Sequence, residues 1–198
     1  MHTISWRTDV QIPFMATIIL LASCIGTAIG AGEQGVQRRN GPTPERPSGA
    51  MWRFSPKEVQ DGGFRQLSGA LSAIVEGPVR FSSEEPMSLR LDGKNTYIGL
   101  SSDLPTARLP ARAITAEAWI KFDTILEWGG IVGALQDNGS FEKGWLLGNR
   151  NNRFFFAVSA IGSDDGDGKL TYLLANSVFE PGHWYHVVGT YDGAVQRV

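Results

Sequence analysis

The chain has a single cysteine, Cys24, and this scarcity excludes two kinds of small domain. One thiol forms no intramolecular disulfide and builds no zinc cluster of cysteines. Basic clusters are also missing, because the longest run of Lys or Arg is Arg38-Arg39. With 18 Lys and Arg against 20 Asp and Glu, the net charge of −2 argues against a partner that is a polyanion. Nucleic acid is therefore not an expected partner.

Sustained helical periodicity is missing as well. The 24 Gly and 10 Pro are too many for a helical protein, since Gly costs about 1 kcal/mol and Pro about 3 kcal/mol in a helix interior. From Ala50 onward, short β-rich runs alternate with turn residues such as Asp92-Gly93 and Asn138-Gly139. The pattern predicts an all-β fold with strands at 51–54, 73–75, 79–81, 88–91, 97–100, 114–122, 130–135, 144–147, 154–160, 169–175 and 183–191.

The first 30 residues have the layout of a secretory signal peptide. Arg7 precedes the apolar stretch 12–21, and Ala28-Ile29-Gly30 supplies the small residues that suit cleavage after Gly30. Two alternatives stay open. The uncharged stretch is about 20 residues, long enough for an uncleaved membrane anchor, and Leu21-Ala22-Ser23-Cys24 resembles a bacterial lipobox. We therefore expect a protein that is secreted, periplasmic or held at the cell surface.

Residues 31–49 are predicted to be a linker rather than part of a domain. They contain no aromatic residue and carry Pro42, Pro44 and Pro47, so they cannot bury enough apolar surface to fold. The folded domain is therefore expected over residues 50–198.

Two predicted strands show which faces are buried. Residues 114–122 alternate between apolar residues and a polar face that includes Trp119, as expected of a strand with one face in the core. Trp119 on a polar face suggests a groove or a covering second layer. Residues 183–191 carry large apolar groups on both faces, which predicts a central strand covered on both sides.

Several segments together resemble the LamG-like jelly roll of the concanavalin A-like lectin and glucanase superfamily. They are Leu89–Gly93 with Tyr97-Ile98, Ile114–Ile120, Gly144–Leu147, Gly182–Gly193 and the first-strand motif Trp52-Arg53-Phe54. The resemblance implies an antiparallel β-sandwich of two packed sheets. Members of the family continue after the Tyr-Asp-Gly turn with several further strands. The resemblance thus implies a jelly roll that is incomplete at its C-terminus, as in a piece of a longer protein.

No catalytic constellation is predicted. The resemblance implies that glucanases of the superfamily use acids two residues apart on one strand, whereas Glu117 has no acidic residue at that spacing and Glu84-Glu85 are adjacent. His183 and His186 are three residues apart on a predicted strand, so they project to opposite faces. No nucleophile elbow, phosphate loop or dinucleotide fingerprint appears. We therefore expect that this chain is not itself an enzyme.

Candidate binding residues are aromatic or acidic. Trp128, in the turn-like stretch 126–130, is the best candidate for stacking on a sugar ring, followed by Trp119 and Tyr185. The acidic turn 163–168 offers Asp164, Asp165 and Asp167 as possible calcium ligands, because calcium prefers carboxylate oxygens. The alternative for this turn is a solvated hairpin tip.

Together these features predict an exported, non-catalytic recognition module that binds carbohydrate or an extracellular protein surface. The alternative is the N-terminal accessory domain of a larger exported hydrolase, for example a metallophosphoesterase-like one, whose catalytic part lies beyond residue 198. A spacer domain without a ligand fits the sequence equally well. Membrane contact is expected only if the signal is uncleaved or lipidated.

Overall fold

The computed structural model describes residues 10–13, 17–21, 49–60, 63–64, 66–68, 73–83, 87–93, 96–99, 112–159 and 166–198. These residues form seventeen strands and one 3-10 turn, Pro56–Glu58. The strands are β1 Val10–Pro13, β2 Thr17–Leu21, β3 Gly49–Arg53, β4 Val59–Gln60, β5 Gly63–Phe64, β6 Gln66–Ser68, β7 Ala73–Glu76, β8 Arg80–Phe81, β9 Ser88–Arg90, β10 Tyr97–Gly99, β11 Ile114–Phe122, β12 Trp128–Asp137, β13 Glu142–Arg150, β14 Arg153–Val158, β15 Thr171–Leu174, β16 Tyr185–Tyr191 and β17 Gln196–Arg197.

The largest sheet is organised around β11. One edge of β11 pairs with β16 in an antiparallel register that runs from Ile114 opposite Tyr191 to Ile120 opposite Tyr185. Its other edge pairs with β2 and then with β1. The sheet continues from β2 to β3 and β6, and from β1 to β9 and β8. The strict apolar alternation of β11 is the reason that it occupies this central place, because one whole face enters the core.

A second sheet is an antiparallel meander of β12, β13, β14 and β15. The β12–β13 and β13–β14 hairpins are short because their turn residues accept left-handed backbone. Gly139 has φ +88° between β12 and β13, and Asn151 has φ 50° between β13 and β14. A third, smaller sheet contains β10, β7, β5 and β4.

The main core lies between the β11 and β16 strands and the meander. Gly189 of β16 lies against the ring of Phe156 in β14, so the two sheets approach closely where one of them has no side chain. The largest fully buried side chains around this contact are Trp52, Phe54, Phe122, Phe156, Phe179, Ile120 and Leu147. Two antiparallel sheets with one shared apolar interior are a β-sandwich.

The predicted fold class, an all-β antiparallel sandwich of the concanavalin A-like jelly-roll type, is confirmed. One prediction about a face is wrong. The outer face of β16 is not covered, because His186 is exposed and only alternate residues of the strand are buried.

The predicted signal segment contains β1 and β2, which pair with β9, β11 and β3. Cleavage after Gly30 stays a prediction. The predicted linker lies outside the described residues except for Gly49, the first residue of β3.

Candidate functional site

The candidate site lies on the face of the meander that points away from the main core. The register of the four strands fixes which residues share this face. Asp137 of β12 lies opposite Glu142 of β13, and Leu146 lies opposite both Gly133 and Ala157. Tyr172 of β15 lies opposite Ala157 and so completes the same row. Side chains from all four strands therefore reach one surface.

Four glycines leave a depression in this surface because they have no side chains. Gly130, Gly133, Gly144 and Gly148 all belong to it by register. At Gly148, a methyl group would meet the carbonyl oxygen of Gly129 and would come within 2.7 Å of Cζ of Phe155. The missing side chain is what lets the Phe155 ring pack against β13.

Three aromatic rings form one end of the hollow. The ring centroids of Trp128 and Tyr172 are 5.6 Å apart, those of Trp128 and Phe155 5.9 Å, and those of Phe155 and Tyr172 5.1 Å. All three pairs meet edge to face, the arrangement that aromatic quadrupoles favour. The guanidinium of Arg150 lies 4.7 Å from the Trp128 ring centroid. Trp128 remains 47% exposed, so this end offers an accessible aromatic surface.

Two carboxylates form the other end. Oε2 of Glu142 accepts hydrogen bonds from the backbone N–H of Leu170 at 3.0 Å and from the hydroxyl of Tyr172 at 3.1 Å. Oδ1 of Asp137 accepts one from the backbone N–H of Gly139 at 2.7 Å. Partial burial raises the pKa of Tyr172 above its usual value, and the charges of Glu142 and Asp137 add to the shift. The Tyr172 hydroxyl therefore stays protonated and donates to Glu142.

These groups enclose an open cavity of about 370 Å³, which we call the aromatic groove. It is lined by Trp128, Gly129, Gly130, Leu135, Asp137, Glu142, Leu146, Phe155 and Tyr172. Its volume lies in the range of small-molecule binding sites.

The structure separates the three aromatic candidates. Trp128 lies in the aromatic groove, whereas Trp119 lies on the outer face of β11. Tyr185 packs against Phe154 and Phe179 beside the main core, and its hydroxyl oxygen accepts a hydrogen bond from the backbone N–H of Glu180. The three residues do not converge on one site.

Trp119 belongs to a second, polar-aromatic surface. Its ring stacks on that of His186 with centroids 5.0 Å apart and planes 13° apart. Nε2 of His186 lies 3.0 Å from Oε2 of Glu117, so the imidazole is held from two sides. On the same sheet, the ammonium of Lys121 lies 5.5 Å from the Trp184 ring centroid. Trp119 is 41% exposed and does not line the aromatic groove.

The calcium candidates are described only at Asp167. Its Oδ1 accepts a hydrogen bond from the backbone N–H of Lys169 at 2.7 Å, as in an Asx-turn. Asp164 and Asp165 lie outside the described residues. In the part of the chain that the structure describes, no three His, Cys, Asp or Glu side chains cluster as metal ligands would. The same part contains no helix long and apolar enough to cross a bilayer.

Sequence reasoning identified Trp128 but missed Asp137, Glu142, Phe155 and Tyr172. The search for paired acids considered residues on one strand, whereas Asp137 and Glu142 meet across a hairpin. The usable signal was the Asn138-Gly139 turn, which predicts a hairpin there, whereas the pairing of Asp137 with Glu142 follows from the four-residue loop 138–141 of the structure.

Comparison with known proteins agrees with this fold. The family described as the concanavalin A-like lectin/glucanases superfamily matches residues 92–198, a little more than half of the chain. The chain belongs to this superfamily. Pappalysin-1 of Mus musculus is 28% identical over 131 residues, which cover 59% of this chain and 8% of that protein. Pappalysin-1 of Homo sapiens is 26% identical over 134 residues, which cover 60% of this chain and 8% of that protein.

The chain thus spans less than a tenth of the length of these relatives. No solved structure matches it significantly. LamG-like domains commonly mediate binding and are generally non-catalytic, and they occur in extracellular proteins.

Proposed function

We propose that this chain is an exported, non-catalytic recognition module that binds carbohydrate in the aromatic groove. The observation that carries the proposal is Trp128, whose ring is nearly half exposed beside Tyr172 and Phe155 at an open cavity. Pyranose rings present flat C–H faces, and an exposed indole gives them an apolar surface to stack on.

The polar end of the aromatic groove supports the same ligand class. Sugar hydroxyls are hydrogen-bond donors, and the carboxylate oxygens of Asp137 and Glu142 are acceptors. A ring stacked on Trp128 would reach these acceptors within one open cavity of about 370 Å³. Aromatic stacking would provide the apolar contact, and the carboxylates would fix the orientation of the sugar.

Export rests on the N-terminal sequence. Arg7, the apolar stretch 12–21 and the small residues before Ala31 together support a signal peptide. An extracellular location would bring the aromatic groove to cell-surface and matrix glycans, or to a glycosylated protein surface.

A glycan array tests the proposal with the full chain, with and without added calcium. The calcium arm tests the expectation that Asp164, Asp165 and Asp167 hold this ion. Two variants form a matched pair, because Trp128→Ala and Trp119→Ala each remove one exposed indole from a different surface. We expect at least one glycan class to bind the natural chain and the Trp119→Ala variant, and to lose binding to Trp128→Ala.

Binding that survives Trp128→Ala and disappears in Trp119→Ala would move the site to the outer face of β11. The absence of binding to any glycan, with capture of an extracellular protein instead, would refute a carbohydrate site and favour recognition of a protein surface.

One observation favours a second candidate function, that of an accessory domain in a larger exported hydrolase. The relatives that match are proteins of which this chain covers only 8%. In that case the aromatic groove would bind a substrate or a matrix and so keep it close to a catalytic domain in another part of the same protein. Sequencing the transcript beyond the codon for Val198 tests this candidate. An open frame that encodes a region rich in metal ligands would support it, and an immediate stop codon would contradict it.

A further inference from the structure

The acidic end of the aromatic groove carries two charges that lie close together. Asp137 and Glu142 are direct cross-strand partners on the same face of the β12–β13 hairpin. Cross-strand partners on one face have Cβ atoms about 5 Å apart, and like charges in this position repel each other. Without a compensating partner, this pair costs the hairpin stability.

No fixed cation compensates the pair within the described residues. The hydrogen-bond donors to the two carboxylates are two backbone N–H groups and the Tyr172 hydroxyl, all of which are neutral. Asp123 and Asp192 form ion pairs elsewhere, with Arg90 and Arg197. Lys143 follows Glu142 in the sequence, but strand alternation turns it to the other face. The charge of the aromatic groove is therefore left for a ligand to neutralise.

The aromatic walls restrict the kind of cation that fits. Tyr172 links the two ends, because its hydroxyl donates to Glu142 and its ring centroid lies 5.6 Å from that of Trp128, and an aromatic face attracts an organic cation. Calcium requires six to eight oxygen ligands, which two carboxylates and one hydroxyl do not supply. At the far end, the positive guanidinium of Arg150 lies 4.7 Å from the Trp128 ring centroid, so the acceptors for a positive group are those of the acidic end.

We propose that the aromatic groove binds a saccharide that carries a free, protonated amino group. The ammonium lies between Asp137 and Glu142, and the pyranose ring packs toward Trp128 and Tyr172. This inference rests on the proposed carbohydrate-binding function and narrows it to amino sugars.

The test compares two ligands of equal length and linkage, the β-1,4-linked tetramer of glucosamine and that of N-acetylglucosamine. Calorimetric titration of the full chain is carried out at mildly acidic pH, where the amines are protonated. A charge-assisted hydrogen bond contributes about 1.5 kcal/mol or more, so we expect the glucosamine tetramer to bind at least about tenfold more tightly. The preference should shrink as salt is added.

Two variants locate the effect. Asp137→Asn should reduce the preference to about twofold or less, because the amide keeps the shape of the side chain and loses its charge. Glu180→Gln removes one negative charge from an exposed residue outside the aromatic groove, and it should leave the preference unchanged. Circular dichroism confirms that both variants fold.

Each outcome has one meaning. Equal affinity for both tetramers overturns the inference and leaves the carbohydrate-binding function standing. Binding of a lysine-rich peptide without binding of either tetramer overturns both and assigns the aromatic groove to a basic protein partner. If calcium raises the affinity for the acetylated tetramer in the natural chain but not in Asp137→Asn, the carboxylates belong to a metal site and the inference fails. No binding of any of these probes overturns the inference, and the glycan array then decides the carbohydrate-binding function separately.

Discussion

The sandwich itself can be tested where its two sheets approach most closely. Gly189 of β16 has no side chain, and a methyl group at this position would lie 2.5 Å from Cγ and 2.9 Å from Cβ of Phe156. Ordinary carbon–carbon contacts are about 3.5–4.0 Å, so Gly189→Ala forces the ring or the strand to move by about 1 Å. Phe156 is fully buried and has no room to move freely.

The expected cost follows from this geometry. Overpacking a filled core costs about 1–3 kcal/mol, and replacing a strand glycine by alanine recovers up to about 1 kcal/mol of backbone entropy. We therefore expect Gly189→Ala to lower the free energy of unfolding by about 1–2 kcal/mol. In a chain of this length, that corresponds to a fall in Tm of about 2–8 °C.

A double-mutant cycle separates this contact from a general loss of stability. Phe156→Leu shortens the side chain and opens space in front of residue 189, so the new methyl group should fit in the double variant. We expect the double variant to be at least about 1 kcal/mol more stable than the sum of the single effects predicts. Urea unfolding followed by tryptophan fluorescence measures all four proteins. Effects that add within about 0.5 kcal/mol would show that Gly189 and Phe156 do not touch, which contradicts the packing of the two sheets.

Three further predictions concern single groups. Because partial burial and the charge of Glu142 raise the pKa of Tyr172, this tyrosine should ionise above the usual range of tyrosine in a spectrophotometric titration, and Glu142→Gln should lower its pKa; an unshifted titration in that variant would contradict the contact. The pKa of Asp192 is lowered to about 2 by hydrogen bonds from the N–H of Val195, the side chain of Arg197 and the N–H of Ala194. The contribution of the Asp192 carboxylate to stability is therefore present above about pH 4 and is lost as the pH falls toward 2. The stability difference between the natural chain and Asp192→Asn should therefore vanish as the pH falls from about 4 to 2. A difference that does not depend on pH would refute this role of the Asp192 carboxylate. N-terminal sequencing of the exported protein should begin at Ala31, whereas a start at Met1 would favour the anchor, and a lipid-modified Cys24 would favour the lipobox.

Much of the fold could be predicted because its signals are local. The alternation of 114–122 placed Ile114, Ala116, Ala118, Ile120 and Phe122 in the core, and all five are buried. The Asn-Gly and Asp-Gly turns marked the strand ends to within a few residues. Periodicity and turn chemistry are properties of short windows, so they can be seen in one sequence.

The exposed outer face of β16 could not be predicted in the same way. The apolar groups on both faces of residues 183–191 predicted a further covering layer. Instead, Trp119 and Glu117 of the neighbouring strand contact His186. Cross-strand partners of this kind depend on the pairing of β11 with β16, which no local pattern encodes.

The aromatic groove shows the same limit. Trp128 was identified from its turn-like surroundings, but Phe155 and Tyr172 come from strands that are distant in the sequence. Tyr172 was not among the candidates, because only the register of β14 and β15 places it beside Glu142. A site assembled from four strands becomes visible only when the sheet order is known.

The most direct test of the carbohydrate site is an NMR titration that follows the indole N–H resonances of the six tryptophans. The full chain, labelled with nitrogen-15, is titrated with the tightest glycan from the array, and Trp128→Ala assigns the resonance of Trp128. We predict a saturable shift of the Trp128 resonance at the concentration where binding occurs, with no shift of Trp119. A shift of Trp119 with Trp128 unchanged, or no shift of any indole, would contradict binding in the aromatic groove.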